Sequence, residues 1–413
     1  MTRLNSRALT AELGRARTLT ELLSLHQRHG NRFDRCNLGA FWSKFKNLPR
    51  GEFRELRNHL APVCERTVRM LSALNARSVA NVAHAFAKSG LVGTGPWQHV
   101  WVALPEVILR LLRDFTPQHL SNTAWAFAKS RTLAPALFEA ISAQAVRRGL
   151  GDFKEQELSN TAWAFATARH EAPALFETIS AEAVRRGLGD FNEQDLSNTA
   201  WAFATAGHEA PTLLNAISAQ AMRLRLGGCN EQDVCNIAWA LAVFDTPSAG
   251  ELFRTASFTT RCARFDASFS REGLSQLHQW SLWHEERGES WPGLPESLQQ
   301  ACRDAFVEEE GQPSQLQSDV VREIRSRGFN VEEEHRCKVS GYSIDALVTL
   351  NDGQQIAVEV DGPSHFVGRS HKSTGATTLK HRQLRYFGWH LEIVLYWEWN
   401  SGRGQLHWLP VAS

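Results

Sequence analysis

A nine-residue segment recurs at a fixed interval along this 413-residue chain and constrains its fold more than any other feature. It reads Leu-Ser-Asn-Thr-Ala-Trp-Ala-Phe-Ala at residues 120–128, 158–166 and 196–204, and Val-Cys-Asn-Ile-Ala-Trp-Ala-Leu-Ala at 234–242. The third residues of the copies lie 38 positions apart each time, at Asn122, Asn160, Asn198 and Asn236. A fixed period of this length predicts an array in which each repeat packs on its neighbours.

Divergent copies extend the array in both directions. Asn81 and Asn37 mark two upstream copies, and Gln276 takes the asparagine position downstream, which gives about seven repeats over residues 18–290. Within a repeat, the nine-residue segment has the apolar spacing of a first helix, and a proline opens a second helix. These prolines are Pro135, Pro173 and Pro211, and the glycines expected to end the second helices are Gly149, Gly187 and Gly227.

The period and the L-x-N-x-x-W-A-x-A core resemble the octotricopeptide repeat family. The resemblance extends over about two-thirds of the chain and implies a mainly α fold, a right-handed α-solenoid of ~38-residue helical hairpins. It also implies binding of single-stranded RNA in a mitochondrion or chloroplast, at roughly one nucleotide per repeat.

A helical wheel of the first helix predicts the side that meets RNA. Leu158, Ala162 and Phe165 form an apolar stripe, whereas Asn160, Ala164 and Thr167 form a small, polar stripe at i, i+4 and i+7. We expect the polar stripe to bind RNA. Across the repeats it comprises Asn37, Asn81, Asn122, Asn160, Asn198 and Asn236, together with Lys44, Lys88, Lys129, Thr167 and Thr205 seven positions later.

The repeated tryptophans allow two interpretations. They are Trp125, Trp163, Trp201 and Trp239. A tryptophan can stack on a base, but the alanines that flank these copies favour packing in the protein core.

Charge is unevenly distributed along the chain. Residues 1–120 hold 18 Lys/Arg against 8 Asp/Glu, a net of +10, whereas residues 121–310 hold 16 against 25, a net of −9. Lys44, Lys88 and Lys129 lie in or beside the basic third, which would attract a polyanion. The alternative is that these lysines only stabilise helix C-termini.

An acidic stretch followed by Gly-Gln-Pro-Ser separates the array from a segment of different composition. The predicted partition is an arginine-rich segment resembling the remnant of an organelle presequence (1–17), the repeat array (18–300), a linker (301–315), a small α/β domain (316–400) and a tail (401–413). In the α/β domain the patterns predict helices at 318–327 and 380–387 and strands at 329–332, 342–350, 355–361 and 390–396.

Three motifs of the α/β domain resemble the RAP domain, a module of organellar RNA regulators that include the FAST-kinase-like proteins. They are Asp-Gly-Pro-Ser-His-Phe at 361–366, Leu-Lys-His-Arg-Gln-Leu at 379–384 and Tyr-Trp-Glu-Trp at 396–399. Octotricopeptide repeats followed by a RAP domain are a known pairing. The RAP domain in turn resembles the PD-(D/E)XK nuclease fold, especially its very-short-patch-repair-like branch.

The central hairpin of this domain predicts a carboxylate cluster. The apolar faces of its two strands coincide only if the connecting loop has an odd number of residues, for example three with Gly353 in a left-handed conformation. That register places Asp345 opposite Glu359, with Asp361 on the same face. Clustered carboxylates are what a Mg²⁺ site for phosphodiester cleavage needs, so Asp345 and Glu359 are the candidate metal ligands.

One residue departs from the nuclease motif. The family pattern is Glu-x-Lys, and Asp361 stands at the lysine position. Lys380, Arg382 or His365 could replace that lysine in a nuclease, with Asp345, Glu359 and Asp361 as the other catalytic candidates. We favour a degenerate nuclease fold that has no resident cofactor and serves either RNA contact, through Lys380, Arg382 and His365, or protein docking.

The predicted function is organellar RNA binding in transcript processing, stability, ribosomal RNA maturation or translation. The repeats would select the site, and the RAP-like domain would aid binding or recruit ribosomal or RNA-processing proteins. Two alternatives are a metal-dependent endoribonuclease guided by its own repeats and a protein-interaction scaffold. Seven cysteines without Cys-x-x-Cys spacing favour a reducing compartment, and no apolar run predicts a membrane partner.

Overall fold

The computed structural model describes residues 5–49, 53–246, 249–265, 268–308, 312–368, 370–402 and 406–409. The chain forms two compact units, Met1–Arg185 and Arg186–Ser413. All seven cysteines are free thiols, of which Cys36 is exposed and the other six are buried. Within the described ranges, no helix combines the length and the apolarity needed to cross a bilayer.

Helices make up the first unit. They are α1 (Ser6–Arg15), α2 (Leu19–His29), α3 (Arg35–Phe45), α4 (Phe53–Leu56), α5 (Ala61–Met70), α6 (Ala76–Lys88), α7 (Gln98–Leu111), α8 (Pro117–Lys129), α9 (Pro135–Arg148), α10 (Glu155–Thr167) and α11 (Pro173–Arg186), which ends one residue into the second unit. Helices α3, α6, α8 and α10 are the first helices of successive repeats, and each packs against the next.

The repeated sequence explains why these hairpins form. Asn75 and Thr116 cap α6 and α8 through side-chain oxygens that accept backbone N–H groups at the helix start. The apolar stripe Leu120, Ala124 and Phe127 is buried, and alanine lets neighbouring helices approach closely. Pro135 begins α9 and Gly149 ends it at φ +74°, as the sequence predicts.

The second unit continues the array with α12 (Glu193–Thr205), α13 (Pro211–Arg223), α14 (Glu231–Phe244), α15 (Ser257–Ala263), α16 (Arg271–Arg287) and α17 (Glu296–Val307). The stop predicted at Gly227 is wrong. Helix α13 ends at Arg223, and Arg225 and Leu226 take the left-handed conformation instead, at φ +52° and +54°.

A four-stranded sheet domain completes the second unit. Its elements are α18 (Gln315–Ser326), β1 (Asn330–Arg336), β2 (Ser343–Thr349), β3 (Gln355–Asp361), α19 (Gly375–Tyr386), β4 (Leu391–Leu395) and α20 (Tyr396–Asn400). The strand order is β1-β2-β3-β4, antiparallel except for the parallel pair β3–β4, which α19 connects. One core of the domain lies between the sheet and α18, and a second lies towards α16 and α19.

Three predicted boundaries differ from the structure. Residues 6–15, assigned to a detached N-terminal segment, form α1 and pack against α3. Residues 301–307, assigned to the linker, complete α17. The predicted tail is not separate from the domain, because Leu406 and Leu409 are buried in its core. Within the linker and the tail, residues 309–311, 403–405 and 410–413 lie outside the described residues.

Candidate nucleic-acid interface and carboxylate cluster

In three repeats of the first unit, the solvent-facing side chains of the first helix form a single stripe along that helix. From the second turn of α6, α8 and α10 onward, the residues outside this stripe are buried. Its members follow the i, i+4, i+7, i+11 spacing of one helix face. The exposed stripe comprises Arg77, Asn81, His84 and Lys88 on α6, Gln118, Asn122, Trp125 and Lys129 on α8, and Gln156, Asn160, Trp163 and Thr167 on α10.

The predicted asparagines, lysines and threonine of α6, α8 and α10 lie on the exposed stripe, but the helical wheel was wrong about the residue between Asn160 and Thr167. Ala164 is fully buried, and Trp163 takes its place beside Asn160 and Thr167. Positions i+3 and i+4 lie on either side of one helix face, so spacing alone does not separate them. The expected core packing of the repeated tryptophans is met by Trp239, which is buried, whereas Trp125 and Trp163 are half-buried.

Asn37 belongs to the helix cap rather than to an RNA-facing surface. Counted from the repeat asparagine, α3 begins three residues later than α6 does. Asn37 therefore lies in the first turn of its helix. Its side chain accepts the backbone N–H of Asp34 and donates to Ser6 O and Thr10 Oγ1, and it is fully buried. The prediction that Asn37 binds RNA is therefore wrong.

A cationic cluster surrounds Asn81. Lys46 Nζ donates to Asn81 Oδ1 at 3.0 Å, whereas the predicted Lys44 lies half-buried on α3. Burial, together with the nearby charges of Lys88 and Arg77, lowers the pKa of Lys46. Burial and the Lys46 and Lys88 charges lower the pKa of His84 to about 4, which leaves its ring neutral at physiological pH. We call Lys46, Arg77 and Lys88 the cationic cluster.

In the second unit the equivalent positions are half-buried on α12, as they are on α10, and become buried on α14. Asn198 and Thr205 on α12 are half-buried, as is Trp201. On α14, Asn236 and Trp239 are only 5% exposed. Asn236 Oδ1 accepts hydrogen bonds from Gln232 and Gln276, and Trp239 Nε1 donates to Gln279 Oε1. Asn236 is therefore held within the protein rather than presented to solvent.

Helix α19 is the element that covers α14, because it packs against α12, α14 and α16. Arg382 donates from its two terminal nitrogens to Val243 O at 3.0 Å and Ala242 O at 2.6 Å, and from Nε to Glu286 Oε1 at 2.9 Å. Those carbonyls belong to the C-terminal end of α14, where a cation is favoured. The structure thus places Arg382 in this docking surface, apart from the catalytic and RNA-contacting roles predicted for it.

Close backbone packing fixes α19 against α12. Gly375, the first residue of α19, packs directly against the carbonyl group of Ala204. A Cβ atom at position 375 would lie 2.1 Å from that oxygen. Farther along α19, Gln383 Nε2 donates to Gln279 O at 2.9 Å. The buried Tyr342 hydroxyl donates to Gln383 Oε1 at 2.8 Å. The sheet domain and the repeats of the second unit therefore share one polar interface.

The central hairpin has the predicted register. Leu350 donates its N–H to Gln354 O at 2.8 Å across a three-residue loop, and Gly353 has φ +85°. Ala346 lies opposite Val358, which places Asp345 opposite Glu359. The expected arrangement of carboxylates on one face of the hairpin is therefore confirmed.

Lys380 reaches this carboxylate cluster from α19. Its Nζ lies 2.5 Å from Glu359 Oε2, and Glu359 is fully buried. Asp345 Oδ2 accepts the backbone N–H of Val360 at 2.7 Å. His365 Nδ1 lies 2.7 Å from Asp361 Oδ1, and His381 Nε2 lies 3.5 Å from the same oxygen. The strand lacks the lysine of the nuclease motif, and the following helix brings one to the same carboxylates.

The pKa values of the three carboxyl groups are shifted in different directions. Burial raises the pKa of Glu359, although the Lys380 ammonium opposes the rise. Burial also raises the pKa of Asp345. Asp361 is the exception, because hydrogen bonds from His365 and His381 outweigh burial and lower its pKa to about 2. Lys380 remains charged, since the surrounding carboxylates outweigh burial and raise its pKa.

The donor set does not fit a resident Mg²⁺ ion. The Lys380 ammonium already lies against Glu359, and Asp345 directs one oxygen to a backbone N–H. A divalent ion needs several oxygen ligands that are free to converge. Within the part of the chain that the structure describes, no group of three or more His, Cys, Asp or Glu side chains is arranged to hold a metal.

Comparison with known proteins identifies the sheet domain. Residues 358–408 match the family described as the RAP domain. The C-terminal module is a RAP domain. A stretch of 96 residues is 31% identical to a "RAP domain-containing protein, chloroplastic" from Oryza sativa subsp. japonica. That stretch covers 23% of this chain and only 14% of the rice protein, so the chain matches about a seventh of its relative's length.

The sheet domain also contains a site residue that no sequence motif marks. Glu334 has a left-handed backbone at φ +50°, and its charge contributes to the raised pKa of Asp345. Its carboxylate accepts hydrogen bonds from Gln317 Nε2 and Ser343 Oγ, both at 2.7 Å. Strained backbone of this kind is concentrated at functional sites. No spacing rule marks Glu334, because it lies within a run of three glutamates.

A cavity of about 440 Å³ opens beside this cluster. Its lining includes Gln317, Glu334, Arg336, Asp345, His365 and Lys380. Of the three C-terminal residues predicted to contact RNA, His365 and Lys380 thus lie together at the cavity, and Arg382 does not. The carboxylate cluster is therefore accessible to a small polar group.

Proposed function

We propose that this chain binds single-stranded RNA in an organelle through the exposed stripe of its first unit. The observation that carries the proposal is the repetition of chemistry at equivalent positions: amides at Asn81, Asn122 and Asn160, and cations at Lys88 and Lys129. Lysine contacts to phosphate supply much of the affinity for a nucleic acid. Amides at regular intervals are suited to hydrogen-bonding the edges of unstacked bases.

Two further findings support an organellar RNA role. The C-terminal module is a RAP domain, and the rice relative that shares it carries the word chloroplastic in its name. The helical body fits the octotricopeptide pattern. These findings support our proposal that the chain acts in a chloroplast or mitochondrion, in transcript processing, stability, ribosomal RNA maturation or translation.

The RAP domain would act by aiding binding or by recruiting ribosomal or RNA-processing proteins, rather than by cutting RNA. The Lys380 ammonium pairs with Glu359, and Arg382 is committed to the docking surface. Cleavage by clustered carboxylates would need that ion pair to open for a metal. The endoribonuclease alternative thus requires a rearrangement of the site.

Salt-dependent binding tests the proposal. The purified full-length chain is titrated with short single-stranded RNAs, with the corresponding duplexes and with a peptide library. We expect a preference for single strands and an affinity whose logarithm falls linearly with the logarithm of the salt concentration. Binding of peptides alone, or RNA binding that is insensitive to salt, would contradict it. Sequencing of RNA crosslinked in cells then identifies the target and the organelle.

A further inference from the structure

Three aromatic rings occupy the same position on consecutive first helices. They are His84 on α6, Trp125 on α8 and Trp163 on α10, each three residues after the repeat asparagine. The His84 and Trp125 rings are 5.2 Å apart between centroids and perpendicular. The Trp125 and Trp163 rings are 6.5 Å apart and tilted by 33°. The rings thus form a continuous row, which we call the ring row.

The helical core does not require aromatic rings at these positions. Phe86, Phe127 and Phe165 fill the interior two residues later on the same helices and are at most 1% exposed. Burying a tryptophan yields a large hydrophobic gain that a half-buried ring only partly obtains. A row of half-buried rings on the solvent face is therefore a surface that a flat ligand can complete.

Cations flank the ring row. Lys129 follows Trp125 by one helical turn, and Lys46 and Lys88 both lie near enough to His84 to lower its pKa. The His84 ring is neutral at physiological pH, so it adds no charge to the ring row. A ligand that matches this surface carries negative charges for the lysines and flat rings for the ring row. A nucleic-acid strand fits that description more closely than a peptide does.

We propose that His84, Trp125 and Trp163 are a stacking platform for bases of single-stranded RNA, with the backbone phosphates on Lys46, Lys88 and Lys129. This inference rests on the proposed function and adds its binding mode. Base–aromatic stacking tolerates any base, because every base has a π-face. In this arrangement the ring row supplies affinity, and the asparagines on the adjacent turn can read base edges.

Substitutions on the ring row test the proposal in the full-length chain. Trp125→Leu combined with Trp163→Leu keeps apolar bulk but removes the π-faces. We expect affinity for an oligouridylate to fall about ten-fold or more, with an unchanged salt slope because the phosphate contacts remain. Trp125→Phe with Trp163→Phe keeps both rings and should restore most of the affinity.

A crosslinking measurement keeps the test independent of variant folding. The unmodified chain is irradiated with an oligouridylate that carries iodouridine, and crosslinked peptides are sequenced by mass spectrometry. Crosslinks at Trp125 or Trp163 support the platform. Crosslinks confined to other residues, or leucine variants that melt normally and bind RNA as tightly as the original chain, overturn it while leaving salt-dependent RNA binding intact. Failure of the original chain to bind RNA would overturn both proposals.

Discussion

At the scale of single residues, the cationic cluster brings together positive charges that repel one another in the protein without RNA. Lys46 is partly buried, and the Lys88 and Arg77 charges add to the cost of keeping it protonated. A phosphate placed among them would relieve that repulsion. RNA binding should therefore raise the proton affinity of Lys46, which couples the strength of binding to pH on the alkaline side.

Removing the cations should weaken RNA binding without regard to sequence. In a triple variant, Lys46→Gln, Lys88→Gln and Lys129→Gln, we expect the salt slope to flatten by up to about 0.7 log units per lost contact. Fluorescence anisotropy at several salt concentrations measures it. Arg185→Gln is the matched control, since Arg185 is exposed on the second helix α11 and pairs with Glu182. Equal slopes for the triple variant and the original chain would exclude these lysines as phosphate contacts.

Asp361 should stabilise the RAP domain in a defined pH range. Its pKa is about 2 when folded, against 3.8 ordinarily, so its contribution is fully present above about pH 4 and is lost as the pH falls through 2. Asp361→Asn should remove roughly 2 kcal/mol at neutral pH and weaken the acid-induced loss of stability between pH 4 and 2. Urea unfolding at a series of pH values measures both effects. An unchanged stability at pH 7 would show that the histidines do not hold this carboxylate.

Residue-level features show where sequence patterns stop being informative. The spacing correctly predicted that Asp345 lies opposite Glu359. Side chains alternate between the two faces of a strand, so an odd or even number of loop residues decides which faces of the two strands coincide. Spacing did not distinguish Trp163 from Ala164, because both lie within one helical turn of Asn160. It also gave no sign that Asn37 caps a helix, since capping depends on where α3 begins.

At the scale of elements, α19 performs two tasks with neighbouring residues. Lys380 and His381 face the carboxylates of the sheet, whereas Arg382 and Gln383 bond to the repeats. Helix α19 was predicted to begin near Lys380, but it begins at Gly375 because Thr374 caps it. Its tertiary partners, 96 to 140 residues away in sequence, could not be predicted from local patterns.

Loss of Arg382 should loosen the docking of α19. In Arg382→Ala, Glu286 and the carbonyls of Ala242 and Val243 lose their donor, which should cost roughly 1–3 kcal/mol. We expect faster hydrogen exchange in α14 and α19, with the sheet core unchanged. Arg385→Ala on the exposed side of the same helix is the control. Equal exchange in the two variants would mean that Arg382 does not hold the interface.

At the scale of the whole molecule, the two ends of the chain differ in chemistry. The first 120 residues carry a net charge of +10, and the RAP domain encloses an ion-paired carboxylate cluster. The composition alone predicted the first property, and the register of the central hairpin predicted that the carboxylates cluster. Which face each helix presents depends on packing between repeats, and this is why the ring row was missed.

The purified chain should bind RNA without cutting it. We expect no cleavage of bound RNA with Mg²⁺ or Mn²⁺, because Lys380 pairs with Glu359 in the cluster. Gel analysis of end-labelled RNA over time provides the measurement. The control is Asp345→Asn, which should behave like the original chain. Metal-dependent cleavage that vanishes in Asp345→Asn would establish the nuclease alternative instead.

The docking of α19 on α12, α14 and α16 also limits how such a chain can evolve. A duplicated repeat inserted upstream of α12 lengthens the array and leaves every docking contact unchanged. A duplication between α12 and α16 would separate Ala204 from Glu286, the partners of Gly375 and Arg382. Changes in the number of repeats are therefore open on the N-terminal side, whereas the repeats beneath the RAP domain are held at a fixed number.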